Sequence, residues 1–117
     1  MFRRFLRSQI HPVTVTGTSR QHAGSVTVDA VLLEAAGILP HETVLCSNMN
    51  NGQQFLLHAR NGTRGRGEVI LNGPTSRNTV PGDKLIIYSY EHVTDETIRR
   101  QRRRVIHVDR KNRITRG

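Results

Sequence analysis

A glycine followed by a serine, Gly24-Ser25, joins the polar stretch Arg20-Gln21-His22-Ala23 to the β-branched run Val26-Thr27-Val28. Glycine opens backbone conformations that a Cβ forbids. The serine hydroxyl can then approach the carbonyl of its own preceding peptide bond, which is the geometry of an N→O acyl shift. The resulting ester can eliminate across Ser25, and hydrolysis leaves a chain that begins with a pyruvoyl group. Most Gly-Ser pairs are ordinary turn punctuation, and the dipeptide alone leaves both readings open. The six histidines form no metal-ligand spacing with Cys46 or a carboxylate, so no metal is expected.

The elements that must position this dipeptide are short. Ile10–Thr16 alternates loosely as a strand, Gly17-Thr18-Ser19 breaks it, and Val26–Val28 is the next strand. Asp29 is placed to cap a helix over Ala30–Ala36, with Gly37 as its C-terminal stop and Pro40 preventing resumption. Thr43–Ser47 and Gln54–Ala59 read as strands around the hairpin turn Asn50-Asn51-Gly52. Arg60–Gly67 is a loop, Glu68–Leu71 a strand, and Asn72-Gly73-Pro74 a turn; Lys84–Tyr90 is a further, buried strand. Thr94 is placed to cap a second helix over Asp95–Arg104, acids first and arginines last. Val105–Val108 and Arg113–Thr115 flank a final turn. Mainly β structure with two short helices predicts a closed β-barrel, with residues 1–98 as its body and 99–117 a basic helix end and strand of the same domain.

With 117 residues the chain suffices for one core, and that core must be aliphatic because tryptophan is absent and aromatics are only 4%. A single cysteine excludes an intramolecular disulfide and suits a reducing compartment. No apolar run approaches the ~20 residues of a membrane span. Arginine and serine interrupt the apolar part of the N-terminal stretch, so a soluble cytoplasmic protein is expected. The formal charge of +9 is concentrated at one end: nine Lys/Arg stand against one Asp from Arg99 onward, while the preceding residues are nearly balanced. Such a tail binds phosphates weakly and non-specifically, or is simply a solvated basic face, since it lacks interleaved aromatics.

The order of these pieces resembles the pyruvoyl-dependent aspartate 1-decarboxylase family. The matching residues are Ile10-His11, Val13, Val15-Thr16, Gly24-Ser25, Asp29, Leu33, Ala35-Ala36-Gly37-Ile38-Leu39 and Glu42. They continue with Asn48, Asn51-Gly52, Phe55, Asn72-Gly73, Gly82-Asp83, Ile86-Ile87 and Tyr90, over roughly residues 1–110 with almost no gaps. The resemblance implies a double-psi β-barrel, a homotetramer, self-cleavage between Gly24 and Ser25, and a pyruvoyl group derived from Ser25. It also implies conversion of L-aspartate to β-alanine and CO₂, a reaction of pantothenate biosynthesis. A pyruvoyl carbonyl condenses with a substrate amine and accepts electrons as CO₂ leaves.

Several departures bear on that implication. Gln9 stands where the family has lysine and Gln54 where it has arginine, the cations that hold substrate carboxylates. Leu57 replaces a threonine that assists cleavage, His58 replaces the tyrosine proton donor, and His22 replaces a tyrosine upstream of the cleavage site. Asn72 and Gly73 are retained. His58 can preserve the donor role, since imidazole titrates near neutrality, or be a strand histidine with a satisfied hydrogen bond. His11 is expected to be structural and His22 to face solvent. Hydrogen bonds to charged groups contribute ~1.5–3 kcal/mol each, so losing two cations predicts weak handling of a dianionic amino acid, unless Arg3 or another basic residue substitutes. Leu57, if it points inward, makes the pocket more apolar. Two alternatives therefore stand beside aspartate decarboxylation. One is a diverged enzyme for another amino acid or conjugate, with cleavage that is spontaneous or assisted by a helper protein. The other is an uncleaved, non-enzymatic barrel.

Overall fold

The computed structural model describes residues 1–98 and 102–115. Eight strands form one sheet: β1 (Phe2–Thr14), β2 (Gly17–Ser19), β3 (Ser25–Asp29), β4 (Thr43–Asn48), β5 (Gln54–Gly62), β6 (Val69–Asn72), β7 (Lys84–Thr94) and β8 (Arg104–His107). One α-helix, α1 (Ala30–Ala36), and a 3-10 helix, Gly73–Asn78, accompany the sheet. The sheet order is β2-β6-β3-β5-β4-β7-β1-β8, with parallel pairs at β2/β6, β3/β5 and β1/β8. This eight-stranded sheet is consistent with a double-psi β-barrel.

Alternation builds the core. In β5 the residues Leu57 and Ala59 are buried while Gln54, Leu56 and His58 are exposed, the period of two that a half-buried strand requires. Val26, Val28, Val44, Ile87 and Leu85 fill the interior from neighbouring strands. Helix α1 closes the barrel with Leu32, Leu33 and Ala36, and each leucine contributes about 1.5–3 kcal/mol through its burial.

The helix boundaries follow from local chemistry. The Asp29 carboxylate accepts the Val31 N–H at 2.8 Å, and Gly37 ends the helix at φ 71° with its N–H on the Glu34 carbonyl. Ile38 N–H returns to the Leu33 carbonyl at 2.9 Å, which satisfies carbonyls that the helix end would otherwise strand.

The second helix expected over Asp95–Arg104 is not what the described residues form. Strand β7 continues to Thr94, Thr97 N–H returns to the Thr94 carbonyl in a turn, and Arg104 already opens β8. Long-range pairing of β7 with β1, which runs from Phe2↔Thr94 to Thr14↔Lys84, outweighs the local capping pattern. Residues 99–101 of that expectation lie outside the described residues. Strands β1, β5 and β7 are likewise longer than alternation predicts, because cross-strand pairing carries polar residues such as Arg3 and Asn61 into the ladder.

Candidate active site

Ser25 opens β3, with Gly24 at φ 82° and His22 at φ 57° in the turn before it. A positive φ at histidine is sterically unfavourable, so the turn is held by its surroundings. Gly73 is one of them. A Cβ on Gly73 would lie 2.5 Å from Ala23 Cα and 3.2 Å from the Gly24 nitrogen, so only glycine lets the two chains approach this closely.

The serine hydroxyl is fixed on two sides. Ser25 Oγ donates to the His22 carbonyl at 2.5 Å and accepts from Asn72 Nδ2 at 2.9 Å. Asn72 Nδ2 also donates to Thr27 Oγ1 at 3.0 Å, which fixes the amide orientation. The Gly24 carbonyl, on the peptide bond to Ser25, accepts the His58 backbone N–H at 2.8 Å. Strands β3 and β5 are parallel here with Ser25 opposite His58, and neighbouring strands lie about 4.8 Å apart. Ser25, Asn72 and Gly73 are buried, while the His58 side chain is exposed.

Other residues singled out from the sequence lie elsewhere. Leu57 points into the barrel core, only 3% exposed, among aliphatic neighbours. Gln54 begins β5 on the same exposed face as Leu56 and His58, roughly 13 Å from His58 at about 3.3 Å per residue. Gln9 is on β1, paired with Tyr88 of β7 and Val105 of β8, and β1 stands apart from β3 in the sheet order. His11 sits half-buried on β1 opposite His107. The His22 side chain is exposed, and its carbonyl rather than its imidazole reaches Ser25.

Two participants carry no sequence signal. The His58 N–H is a backbone group, indifferent to side-chain identity, and Thr27 reads only as a strand residue. Among the described residues, no three His, Cys, Asp or Glu side chains gather as a metal site, and no helix is long and apolar enough to cross a membrane.

A sequence model of the family described as aspartate decarboxylase matches residues 1–115. The chain belongs to the aspartate decarboxylase family. "Aspartate 1-decarboxylase 1" of Gloeobacter violaceus is 44% identical over 97% of this chain and 97% of its own length. "Aspartate 1-decarboxylase" of Neisseria meningitidis is 43% identical over 97% of this chain and 90% of its own. That of Acaryochloris marina is 42% identical over 97% and 87%.

Beside the site of this aspartate decarboxylase family member lies a groove of about 800 Å³, lined by Thr18, Ser19, Arg20, Ala23, Gly73, Pro74 and Arg77. Asp29, at the other end of β3, serves architecture. Its carboxylate accepts the N–H groups of Gly67 at 2.7 Å and Gly65 at 3.1 Å as well as that of Val31. Burial pushes this carboxyl up, but the Gly67, Val31 and Gly65 donors and the Arg64 charge together hold it below the ordinary aspartate value.

Proposed function

We propose that the chain cleaves itself between Gly24 and Ser25 and then decarboxylates an amino acid, L-aspartate to β-alanine and CO₂ being the reaction its relatives' names indicate. The observation that carries this reading is the paired restraint on the reacting peptide. Asn72 and His22 hold the Ser25 hydroxyl while the His58 N–H polarises the Gly24 carbonyl. A donor already aimed at that oxygen stabilises the charge that develops there as Oγ attacks.

In the first step Ser25 Oγ adds to the Gly24 carbonyl carbon, the amide C–N bond breaks, and the serine nitrogen takes the hydroxyl proton. Loss of the Ser25 Cα proton with cleavage of the Cβ–O bond releases residues 1–24 with a carboxylate at Gly24. Water then replaces the nitrogen of the remaining enamine as ammonia, which leaves the pyruvoyl group. Leu57 offers no hydroxyl to this step, and the donor at the Gly24 oxygen is the backbone N–H of His58.

The residues around Ser25 fit such a group. Asn72 Nδ2, which holds the hydroxyl, is a donor suited to a carbonyl oxygen, and Gly73, lacking a Cβ, lets the residue 23–24 turn pack directly against the strand end that carries Asn72. The pyruvoyl group supplies an electron sink for the carboxylate-bearing carbon of a bound amine. His58, beside Ser25 in register, is the proton donor to that carbon after CO₂ leaves.

Leu56, between Gln54 and His58 on the outer face of β5, is 64% exposed. It borders a groove with Leu45, Tyr90 and Arg4. Such an apolar strip supports a homotetramer in which a neighbouring copy covers this face. The buried free thiol Cys46 suits a cytoplasmic setting.

The departures at Gln9 and Gln54 favour a second reading, an enzyme for an amino acid other than aspartate. Denaturing mass spectrometry tests the shared part of both. Two fragments, residues 1–24 and a pyruvoyl-capped 25–117, are expected, and Ser25→Ala should remain one chain. Full-length protein persisting after long incubation, with or without cell extract to supply a helper, would defeat both enzymatic readings.

A further inference from the structure

The groove beside the reactive turn carries two guanidinium groups and no acid. Its walls are the end of β2, the turn residue Ala23 and the start of the 3-10 helix. Arg20 directly follows Ser19, which pairs with Asn72 in the β2/β6 ladder, so Arg20 leaves the sheet next to the residue that holds Ser25 Oγ. Arg77 lies three residues after Pro74 in the 3-10 helix. Three residues make one 3-10 turn, so Pro74 and Arg77 share a side, and both line the groove. The lining residue Ala23 is one peptide from the bond that would break, and Gly73 packs against it.

Neither arginine is used by the fold. Among the described residues, the ion pairs are Arg3–Asp95, Arg7–Glu42 and Arg64–Glu34, and neither Arg20 nor Arg77 is engaged in a side-chain hydrogen bond. Two uncompensated cations in one concave, partly apolar wall attract an anion, and a guanidinium suits a carboxylate because it offers two parallel N–H donors.

We propose that Arg20 and Arg77 bind the side-chain carboxylate of an acidic amino acid whose amine reacts at Ser25. This rests on the active-site reading above, and it makes the substrate a dicarboxylic amino acid despite Gln9 and Gln54. The cations at 20 and 77 stand in for a lysine and an arginine that this chain lacks. An isosteric neutral amino acid gains nothing from them.

The test uses the protein as purified, with Arg20→Gln, Arg77→Gln and the double variant, each checked for an unchanged thermal melt. Calorimetry with succinate reads the anion site without turnover. CO₂ release from L-aspartate and L-asparagine reads specificity. Each single change should weaken succinate binding and raise KM for aspartate by about 10-fold, and the double change by up to about 100-fold. Kinetics with asparagine should move less than about threefold, and Arg77→Lys should recover part of the loss by keeping the charge. Unchanged succinate affinity and aspartate KM in the double variant would overturn the proposal. So would an equal loss with asparagine, which would mark the arginines as structural, or inorganic phosphate binding more tightly than succinate. If the chain stays uncleaved and releases no CO₂ from any amino acid, the active-site reading fails, while the succinate titration still decides the arginines.

Discussion

At the scale of single residues, His58 presents two chemically separate groups, and the proposed function gives each its own role. Its N–H binds the Gly24 carbonyl, and its imidazole is exposed beside Ser25. His58→Ala keeps the N–H and loses the imidazole. Cleavage in that variant should proceed normally, while kcat for decarboxylation should fall by about 10²–10⁴, the usual worth of a positioned acid. Measuring fragment formation and CO₂ release on the same preparation separates the two roles, and parallel loss of both would contradict the assignment. Asn72→Ala should act earlier, slowing cleavage roughly tenfold by releasing the Ser25 hydroxyl. Cys46 marks the opposite case. Burial pushes its thiol up to about 12, so alkylating reagents at neutral pH should leave the folded protein unlabelled and modify it only in denaturant.

At the scale of elements, the turn before Ser25 depends on residues distant in sequence. Gly73→Ala would drive a Cβ into Ala23 and place a side chain at φ 80°. The strain of order 1–2 kcal/mol should displace the turn and slow cleavage about tenfold or more, seen as a lengthened half-time on denaturing gels. Helix α1 and the residue 63–67 loop meet at Asp29. Its carboxyl titrates lower in the folded than in the unfolded chain, so the unfolded state binds more protons in acid. The stabilisation is therefore complete above the ordinary value of 3.8 and is lost as pH falls through the lower folded value. Asp29→Asn should lower stability at pH 7 by about 1–3 kcal/mol, because one amide nitrogen would face a backbone donor. It should also flatten the loss of stability as pH falls below 3.8. Thermal melts across that range check both effects.

At the scale of the whole molecule, the basic C-terminal region is part of the barrel. Strand β8 pairs with β1 through Ser8↔Arg104 to His11↔His107. Asn112, only 2% exposed, donates to the carbonyls of Thr14 and Gly67, both at 2.8 Å, and accepts the Thr14 N–H at 2.7 Å. Removing everything after Ile98 should therefore abolish the cooperative melt rather than merely discharge the protein. Nucleic-acid affinity is better tested with Arg102→Gln, Arg103→Gln and Arg110→Gln together, all at exposed positions. Binding to duplex DNA should be weak, and the triple variant should flatten its dependence on salt by about 0.9 for each phosphate no longer neutralised. An unchanged slope would place the phosphate-binding cations elsewhere on the chain.

Much of the design is local and therefore legible in the amino-acid order. Asp29, the apolar positions Leu32 and Leu33, and Gly37 specify a helix whose ends match the structure, because caps and helical period act within a few residues. The turn glycine before Ser25 is legible for the same reason, and Gly24 does stand at positive φ. The sequence also shows that Gln9 and Gln54 stand where cations are expected. What it does not contain is distance. Only pairing across the sheet brings Asn72 to Ser25 and the His58 N–H to the Gly24 carbonyl, turns Leu57 into the core, and replaces the helix start expected at Asp95 with a turn beyond the end of β7. The same pairing sets Arg20 and Arg77, 57 residues apart in sequence, along one groove beside the turn before Ser25. Charge composition counts such residues, but attraction depends on separation, and separation is fixed by the tertiary fold alone.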